Sequence, residues 1–175
     1  SIDTKLTNAG IYFHTISRVK TDESIIHKLA TGKYSNYDNG RKIQDIIGIR
    51  INLFYSEDIR ICEQILEDTF KNDNWSKSEW EENKFEAQKC NGVFRIPSRY
   101  LRNITNDLWE YPFDQTFEVQ LRTVLFEGWH EIEHEMRYKY KIDDPEHPNN
   151  LWDGQEKLAR VMNSIIANLE LCDWS

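Results

Sequence analysis

Three polar side chains alternate with apolar ones in a short stretch near residue 120. The segment 117–122 reads FEVQLR, so Glu118, Gln120 and Arg122 fall on every second position. Alternation with a period of two predicts a strand with one apolar and one polar face. A face that carries a carboxylate, an amide and a guanidinium could form the floor of an active site. An ordinary half-buried strand explains the same alternation without chemistry, so both interpretations stay open at this point.

A second chemical pattern lies just downstream, in a segment whose apolar residues are spaced as on an amphipathic helix. Residues 130–134 read HEIEH, which matches the zinc motif H-E-x-x-H. This motif places two His, here His130 and His134, on one helix face as zinc ligands, with Glu131 as general base. A zinc metalloprotease is therefore one hypothesis. The extended form of the motif is absent, because no third His follows at the required spacing.

A group of basic and hydroxyl residues near the start of the chain is suited to phosphate. Arg18 and Lys20 directly precede a predicted helix with Thr21 as its N-cap, and Ser24 and Lys28 follow at helical spacing. Backbone N–H groups at a helix start attract anions, and these side chains would add to that effect. A solvated helix face is the alternative.

Asp45 is an anomaly in an apolar segment. The stretch 41–55 is predicted to be a strongly apolar, central strand, and Asp45 lies near its start in phase with the apolar residues. A carboxylate in that position needs a partner. A metal ion, an Arg side chain or a turn that the carboxylate caps would each provide one.

Arginine and aromatic residues lie close together in the segment 90–102. The segment begins with Asn91-Gly92, which favours a turn. An Arg beside an aromatic ring suits a nucleobase and its phosphates, whereas packing and surface ion pairs are the alternative. The residues concerned are Phe94, Arg95, Arg99 and Tyr100.

The remaining patterns predict the elements that must position these groups in a layered α+β (α/β) domain. The segment 71–89 is predicted to be a long polar excursion in which Ser76 begins a helix, and residues 108–111 to be a strand end. Four helices are predicted, each with a set of inward-facing residues. The first two are 21–30, with Ile25, Ile26 and Leu29 inward, and 56–70, capped by Ser56, with Ile59, Cys62, Ile65, Leu66 and Phe70 inward. The other two are a helix after residue 122, with Leu125, Trp129, Ile132 and Met136 inward, and the last helix, from Asp153, with Leu158, Val161, Met162, Ile165, Leu169 and Cys172 inward.

Length and composition fit one ordered domain over residues 1–175, with 39% hydrophobic and 13% aromatic residues. No apolar run approaches the roughly 18 residues of a membrane span. Three scattered Cys favour reduced thiols and a cytoplasmic location. The net charge of −8 disfavours nonspecific DNA binding but permits a local phosphate pocket. The start at Ser1 is typical of a trimmed chain or of one domain from a longer protein.

Taken together, these residues resemble the synthetase domain of RelA/SpoT-type alarmone enzymes over about residues 18–140. Each motif alone is weak, whereas four in the family's order with similar spacing are specific. The motifs are Arg18-x-Lys20 with Ser24 and Lys28; Asp45-Ile46-x-Gly48-x-Arg50; Glu118-x-Gln120-x-Arg122-Thr123; and Trp129 with Ile132-Glu133-His134 and Tyr138-Lys139-Tyr140. A zinc protease would leave the first three unexplained.

The resemblance implies a nucleotidyltransferase-like mixed β-sheet flanked by α-helices. It also implies transfer of pyrophosphate from ATP to the 3′-hydroxyl of GDP or GTP, which yields (p)ppGpp and AMP, the chemistry of the stringent response. It further implies Mg²⁺ held by Asp45 and Glu118, with Glu118 activating the hydroxyl. The implied ATP-binding residues are Arg18, Lys20, Ser24, Lys28 and Arg50, and those on the acceptor side are Gln120, Arg122 and His134 beside the Arg and aromatic residues of 90–102.

One segment departs from the family pattern Gly-Tyr-x-Ser-x-His. Gly92 is aligned with its Gly, so Val93 stands where the family's Tyr stacks on guanine, and the His has no counterpart. Phe94 or Tyr100 would have to stack instead. The acceptor stays open between a guanine nucleotide, another nucleotide and the 3′ end of a tRNA. A nucleotide-binding regulatory domain without activity is the alternative, and a homo-oligomer or an antitoxin partner is compatible with the family.

Overall fold

The computed structural model describes residues 1–34, 41–70, 72–77, 90–101, 112–132 and 154–172. Within these ranges five strands form one sheet with helices around it, which confirms the predicted α+β class. None of the described helices is long and apolar enough to cross a lipid bilayer. The described elements are α1 (Ile2–Asn8), β1 (Phe13–Val19), α2 (Asp22–Ala30), β2 (Ile47–Leu53), α3 (Asp58–Glu67), β3 (Asn72–Lys77), β4 (Cys90–Arg95), α4 (Ser98–Leu101), β5 (Thr116–Thr123), α5 (124–132) and α6 (Gly154–Cys172).

The strands follow the spatial order β1-β2-β5-β4-β3. Strands β2 and β5 are parallel, and every other pair is antiparallel, so the sheet is mixed as predicted. The alternation predicted for β5 is confirmed, because its apolar residues are buried while Glu118 and Gln120 are half-buried. The parallel pair at the centre therefore carries one apolar and one polar face.

The apolar face of the sheet forms the main core together with α1 and α3. Leu6 of α1 and Cys62 and Leu66 of α3 are fully buried against it, which confirms the stripe predicted for α3. The rings of Phe70, Phe94 and Phe117 pack against one another there, with centroids 5.2 to 6.1 Å apart. Burial of this apolar surface, at roughly 25 cal/mol per Å², is the main stabilisation of the sheet.

Strand β1 is an element that the sequence patterns do not predict. It lies at the edge of the sheet, and all its residues except Phe13 are exposed, so no apolar alternation marks it. The next helix starts as predicted, because the Thr21 hydroxyl accepts a hydrogen bond from the Ser24 amide. Its predicted inward stripe is wrong at Ile26, which is 65% exposed. Ile25 and Leu29 are half-buried.

Two predicted boundaries differ from the structure. Gly92 lies within β4 rather than in a turn. A Cβ at this position would approach ring atoms of Trp75 and Phe94 to 2.6–2.9 Å. Close packing therefore explains this glycine. Ser76 does not begin a helix, since it lies in β3, where it pairs with Asn91.

The cap of α3 also differs from the prediction. The helix begins at Asp58, and Glu57 stands in the capping position without a side-chain hydrogen bond. Ser56 is therefore not the N-cap.

The apolar stripes of the last two helices are displaced from the predicted positions. In α5 Trp129 is buried as predicted, but Leu125 and Ile132 are exposed while Phe126 is buried instead. In α6 the predictions for Leu158 and Met162 are confirmed, because both pack with the buried Ile166 against Trp129. The exposed members of the predicted α6 stripe are Val161, Ile165, Leu169 and Cys172. The predictions for residues 108–111, Met136 and Asp153 lie outside the described residues.

Candidate active site

The polar face of the sheet brings predicted site residues from three strands into one row. Gly48 at the start of β2 pairs with Arg18 of β1 on one side and with Glu118 of β5 on the other. A Cβ at Gly48 would lie 3.6 Å from Cγ and Nε of Arg18, so the Arg18 side chain extends over this glycine. Strands about 4.8 Å apart place Arg18 and Glu118 roughly 10 Å from each other at the backbone.

Asp45 lies just before β2 and binds two lysines. Lys28 Nζ is 2.7 Å from Oδ2 and 2.9 Å from Oδ1 of Asp45, and Lys20 Nζ also donates to Oδ2. A bend at Ile46 interrupts the alternation before β2, while the Lys20 amide donates to the Ile46 carbonyl at 2.8 Å. The prediction that Asp45 needs a partner is confirmed, but the partners are Lys side chains rather than an Arg.

The charge on Asp45 is stabilised by this arrangement. Burial alone raises the pKa of the carboxyl, but the hydrogen bonds from Lys20 and Lys28 outweigh burial and hold its pKa below the ordinary value of 3.8. Burial lowers the pKa of Lys20, and only part of that effect is offset by Asp45. Asp45 is therefore a carboxylate at neutral pH, in contact with two basic groups that the sequence assigned to phosphate.

Glu118 lies half-buried in the middle of the sheet, and its hydrogen-bond donors within the described part of the chain are neutral groups. The donors are Asn91 Nδ2 at 3.2 Å and Gln120 Nε2 at 3.4 Å. Among the described residues Glu118 forms no ion pair. Its negative charge is therefore available to a ligand, and Asn91 is a neighbour that sequence reasoning did not identify.

The carboxylates of Asp45 and Glu118 are suited to a magnesium ion whose remaining ligands come from the substrate. Asp45 binds Lys20, two positions after Arg18, and Arg18 and Glu118 both pair with Gly48. Mg²⁺ prefers carboxylate oxygens and is often held by one or two of them together with phosphates and water. Within the described ranges, no cluster of three or more His, Cys, Asp or Glu could hold a metal alone. The Mg²⁺ site stays a prediction.

The second row of the polar face centres on Arg50, which pairs with Gln120 across β2 and β5. Its Nε donates to Gln120 Oε1 at 3.2 Å. Its Nη1 donates to Glu127 and, at 3.1 Å, to Glu131, both on α5. Sequence reasoning did not identify these carboxylates as partners of Arg50, although their spacing of four residues on a helix after β5 was a signal.

Arg122 lies in the third row, opposite Asn52, and is largely covered by α5. Its side chain is 8% exposed, with Nε 3.7 Å from Glu127 Oε2 and the guanidinium over the Phe126 ring. Burial lowers its pKa most, and the charge of Arg50 adds to that effect. Two buried nitrogens of Arg122, Nε and Nη1, have no hydrogen-bond partner among the residues that the structure describes. Its predicted contact with an acceptor stays a prediction.

The residues predicted to recognise the acceptor base are separated. Phe94 is fully buried in the core on the opposite face from Glu118, so the prediction that it stacks on a base is wrong. Arg95 is exposed at the end of β4 and pairs with Thr116 in the ladder. Arg99 and Tyr100 are exposed on α4, with the guanidinium 4.8 Å from the ring centre.

A cavity of about 610 Å³ opens where β4 ends and β5 begins. It is bordered by the Arg95–Thr116 pair and by Ser98 of α4, whereas no residue assigned to ATP lines it. The acceptor role of Arg95, Arg99 and Tyr100 stays a prediction.

The zinc motif gains no support from the described residues. His130 stacks on the Phe126 ring with centroids 5.9 Å apart, and burial lowers its pKa. Glu131, the general base of that hypothesis, is paired with Arg50. His134 and the segments 133–153 and 102–111 lie outside the described residues.

Comparison with known proteins gives the same assignment as the motifs. The family model for the region found in RelA/SpoT proteins matches residues 17–143. A search of curated proteins found no match. Among solved structures, small alarmone synthetase 2 from Bacillus subtilis is 24% identical with a TM-score of 0.64, over 96% of this chain and 88% of that chain.

Two structures of a second enzyme from the same organism are also similar. Small alarmone synthetase 1 from Bacillus subtilis bound to its product pppGpp is 21% identical with a TM-score of 0.66, over 97% of this chain and 81% of that chain. The same enzyme bound to AMPCPP is 22% identical with a TM-score of 0.57, over 97% and 80%. These likenesses show a shared fold, and the family model covers well over half of the chain. The chain therefore belongs to the family defined by the region found in RelA/SpoT proteins.

Proposed function

We propose that this chain is a nucleotide pyrophosphokinase, which transfers the β,γ-pyrophosphate of ATP to the 3′-hydroxyl of a nucleotide acceptor and releases AMP. The observation that carries the proposal is the row Arg18–Gly48–Glu118, with the Lys20–Asp45–Lys28 cluster at its edge. A carboxylate that forms no ion pair within the described ranges stands at the centre of a sheet face, and cations lie on one side of it. Small alarmone synthetase 1, which shares the fold, binds pppGpp and AMPCPP.

The ATP side of the site is formed by β1 and α2. Arg18, Lys20 and Lys28 would neutralise the triphosphate, and the exposed Ser24 hydroxyl would donate a hydrogen bond to it. Gly48 keeps the space between Arg18 and Glu118 free of a side chain. A bound Mg²⁺, held by Asp45 and Glu118, would neutralise charge on the β- and γ-phosphate oxygens.

Glu118 would act as general base. It takes the proton of the acceptor's 3′-hydroxyl, whose oxygen forms a bond to the β-phosphorus of ATP. The bond from that phosphorus to the α–β bridging oxygen breaks, and AMP leaves with the electron pair. Such in-line displacement depends on positioning and on fixed positive charge more than on covalent chemistry. Asn91 and Gln120 hold the Glu118 carboxylate by neutral hydrogen bonds and leave it able to accept the proton.

The acceptor would approach from the β4 side of Glu118, where Val93 pairs with it in the ladder. Val93 offers no ring for stacking, so the base is not fixed by this position. The candidates are GDP or GTP, another nucleotide and the 3′ end of a tRNA.

The experiment is an acceptor panel. The protein is incubated with ATP labelled in its β- and γ-phosphates, Mg²⁺ and, in turn, GDP, GTP, ATP or tRNA. We expect labelled acceptor and an equal amount of AMP with at least one nucleotide. Transfer to tRNA alone would identify the 3′ end of a tRNA as the acceptor in the same type of reaction. ATP binding without AMP formation for any acceptor would contradict the proposal and favour a nucleotide-binding regulatory domain.

A further inference from the structure

The carboxylate of Asp45, one of the two proposed metal ligands, is already occupied by two lysines. Lys28 Nζ lies 2.7 Å from Oδ2 and 2.9 Å from Oδ1, and Lys20 Nζ donates to the same Oδ2. A carboxylate has about four lone-pair sites on its two oxygens. The hydrogen bonds from the lysines therefore use most of the oxygen sites that a metal ion would need.

The charge of the lysines opposes a metal ion at Asp45 as well. The side chains of Lys20 and Lys28 are 16% and 31% exposed, so solvent screens them only in part. A cation bound to Asp45 would lie beside both ammonium groups, and like charges at such short range repel each other. Glu118, the other proposed ligand, has only neutral hydrogen-bond donors among the described residues. The two proposed metal ligands are therefore not equally available in the free protein.

The same lysines are proposed to bind the phosphates of ATP. An ammonium group has three N–H donors, and its hydrogen bonds to phosphate oxygens are charge-assisted. A triphosphate carries more negative charge than one carboxylate, so it can attract both lysines and neutralise them together. Bound phosphates would thus remove the repulsion at Asp45 and add oxygen ligands, which Mg²⁺ prefers to take from substrate phosphates.

We infer that Lys20 and Lys28 keep Asp45 from binding Mg²⁺ until ATP phosphates neutralise them, so that Asp45 binds the metal only together with the nucleotide. The inference rests on the proposed function, in which these lysines bind ATP and Asp45 binds Mg²⁺. The lysines then have two successive partners, the Asp45 carboxylate in the free protein and the phosphates in the complex. Removal of either lysine should make Asp45 available to a metal ion without any nucleotide.

The first test measures the binding of Mn²⁺ alone, without nucleotide, from the loss of the electron paramagnetic resonance signal of the free ion. Lys20→Met and Lys28→Met should each bind Mn²⁺ at least about 5-fold more tightly than wild type, because one repelling charge is gone. The control is Lys33→Met, which removes an exposed lysine beyond the end of α2 and should stay within about 2-fold of wild type. Addition of Asp45→Asn to Lys28→Met should abolish the gain.

Equal Mn²⁺ affinities in wild type and both lysine variants would overturn the inference. It would also be overturned if the gain persisted without the Asp45 carboxylate, because the metal would then bind elsewhere. Near-ultraviolet circular dichroism reports whether each variant is folded, and if one lysine variant does not fold, the other carries the comparison.

The second test measures how Mg²⁺ changes the affinity for a non-hydrolysable ATP analogue by titration calorimetry without acceptor. In wild type Mg²⁺ should tighten analogue binding about 10-fold, the size of a typical coupling between two ligands, and in Asp45→Asn less than about 3-fold. The same effect of Mg²⁺ in both proteins would overturn the inference, because the metal would then bind with the nucleotide but without Asp45.

The outcomes separate this inference from the proposed function. Metal and analogue binding in the predicted order by a protein that transfers no label would contradict the proposed function alone. Transfer of label by wild type, with Mn²⁺ affinities that do not respond to either lysine, would contradict the inference alone.

Discussion

Asp45 illustrates what one residue reveals about the site. A carboxylate in an apolar segment predicts a partner, and the partners proved to be Lys20 and Lys28, two residues that a separate motif assigned to phosphate. The sequence could not identify these two lysines, because a single acidic residue does not indicate where its partner lies and the bend at Ile46 breaks the strand alternation. The need for a partner was visible in the sequence, whereas the partners themselves could be identified only from the fold.

The Asp45 cluster should make stability depend on acid pH. The folded-state pKa of Asp45 is lowered, so its contribution is present above the unfolded value of about 3.9 and is lost as pH falls through the folded value. We expect Asp45→Asn to reduce the free energy of unfolding by about 1 kcal/mol at pH 7. In urea titrations this difference should shrink below pH 4, whereas a difference independent of pH would contradict the assignment.

Two glycines in β2 and β4, the strands on either side of β5, should respond differently to the same methyl group. At Gly92 a Cβ would meet the rings of Phe94 and Trp75 at 2.6–2.9 Å, so Gly92→Ala should destabilise by about 1–3 kcal/mol. At Gly48 the nearest atoms belong to Arg18 at 3.6 Å, an ordinary contact, so Gly48→Ala should change stability by less than about 0.5 kcal/mol. Equal losses in urea unfolding would refute this distinction.

At the scale of elements, the sequence predicts those with a strong apolar period and misses those without one. Strand β5 was predicted because its buried and half-buried residues alternate. Strand β1 was missed because it is exposed on both faces at the edge of the sheet. Helix α6 carries two adjacent apolar stripes, and its own sequence cannot tell which one Trp129 covers. Phe94 was placed in the site because an aromatic ring beside Val93 could replace the family's Tyr, but successive strand residues face opposite sides and Phe94 lies in the core.

The two stripes of α6 can be separated by adjacent substitutions. Ile166 is 6% exposed against Trp129, whereas Ile165 is 46% exposed. We expect Ile166→Ala to destabilise by about 2 kcal/mol or more, and Ile165→Ala by less than about 1 kcal/mol. Both variants lose the same atoms and gain the same helix propensity, so they control for each other. The reverse order in urea unfolding would show that the predicted stripe, and not the observed one, is covered.

In the whole molecule, the two faces of one sheet have different roles. The apolar face and α1 and α3 supply the core, while the polar face presents Arg18, Glu118 and Arg50 in adjacent rows. The net charge of −8 is compatible with the proposed ATP site, because cations are concentrated where β1, α2 and β2 meet. The four motifs in order predicted this site, whereas the α5 carboxylates that pair with Arg50 could be identified only from the packing of the helix on the sheet.

The central claim is that Glu118 accepts the proton of the attacking hydroxyl beside the cations proposed to bind ATP. The most direct measurement compares wild type and Glu118→Gln for the rate of label transfer from ATP and for the affinity of the non-hydrolysable analogue. We predict that transfer falls by about 10²–10⁴-fold, the usual contribution of a general base, while affinity for the analogue, measured without Mg²⁺, stays within about 3-fold. Transfer by Glu118→Gln at the wild-type rate would contradict the account.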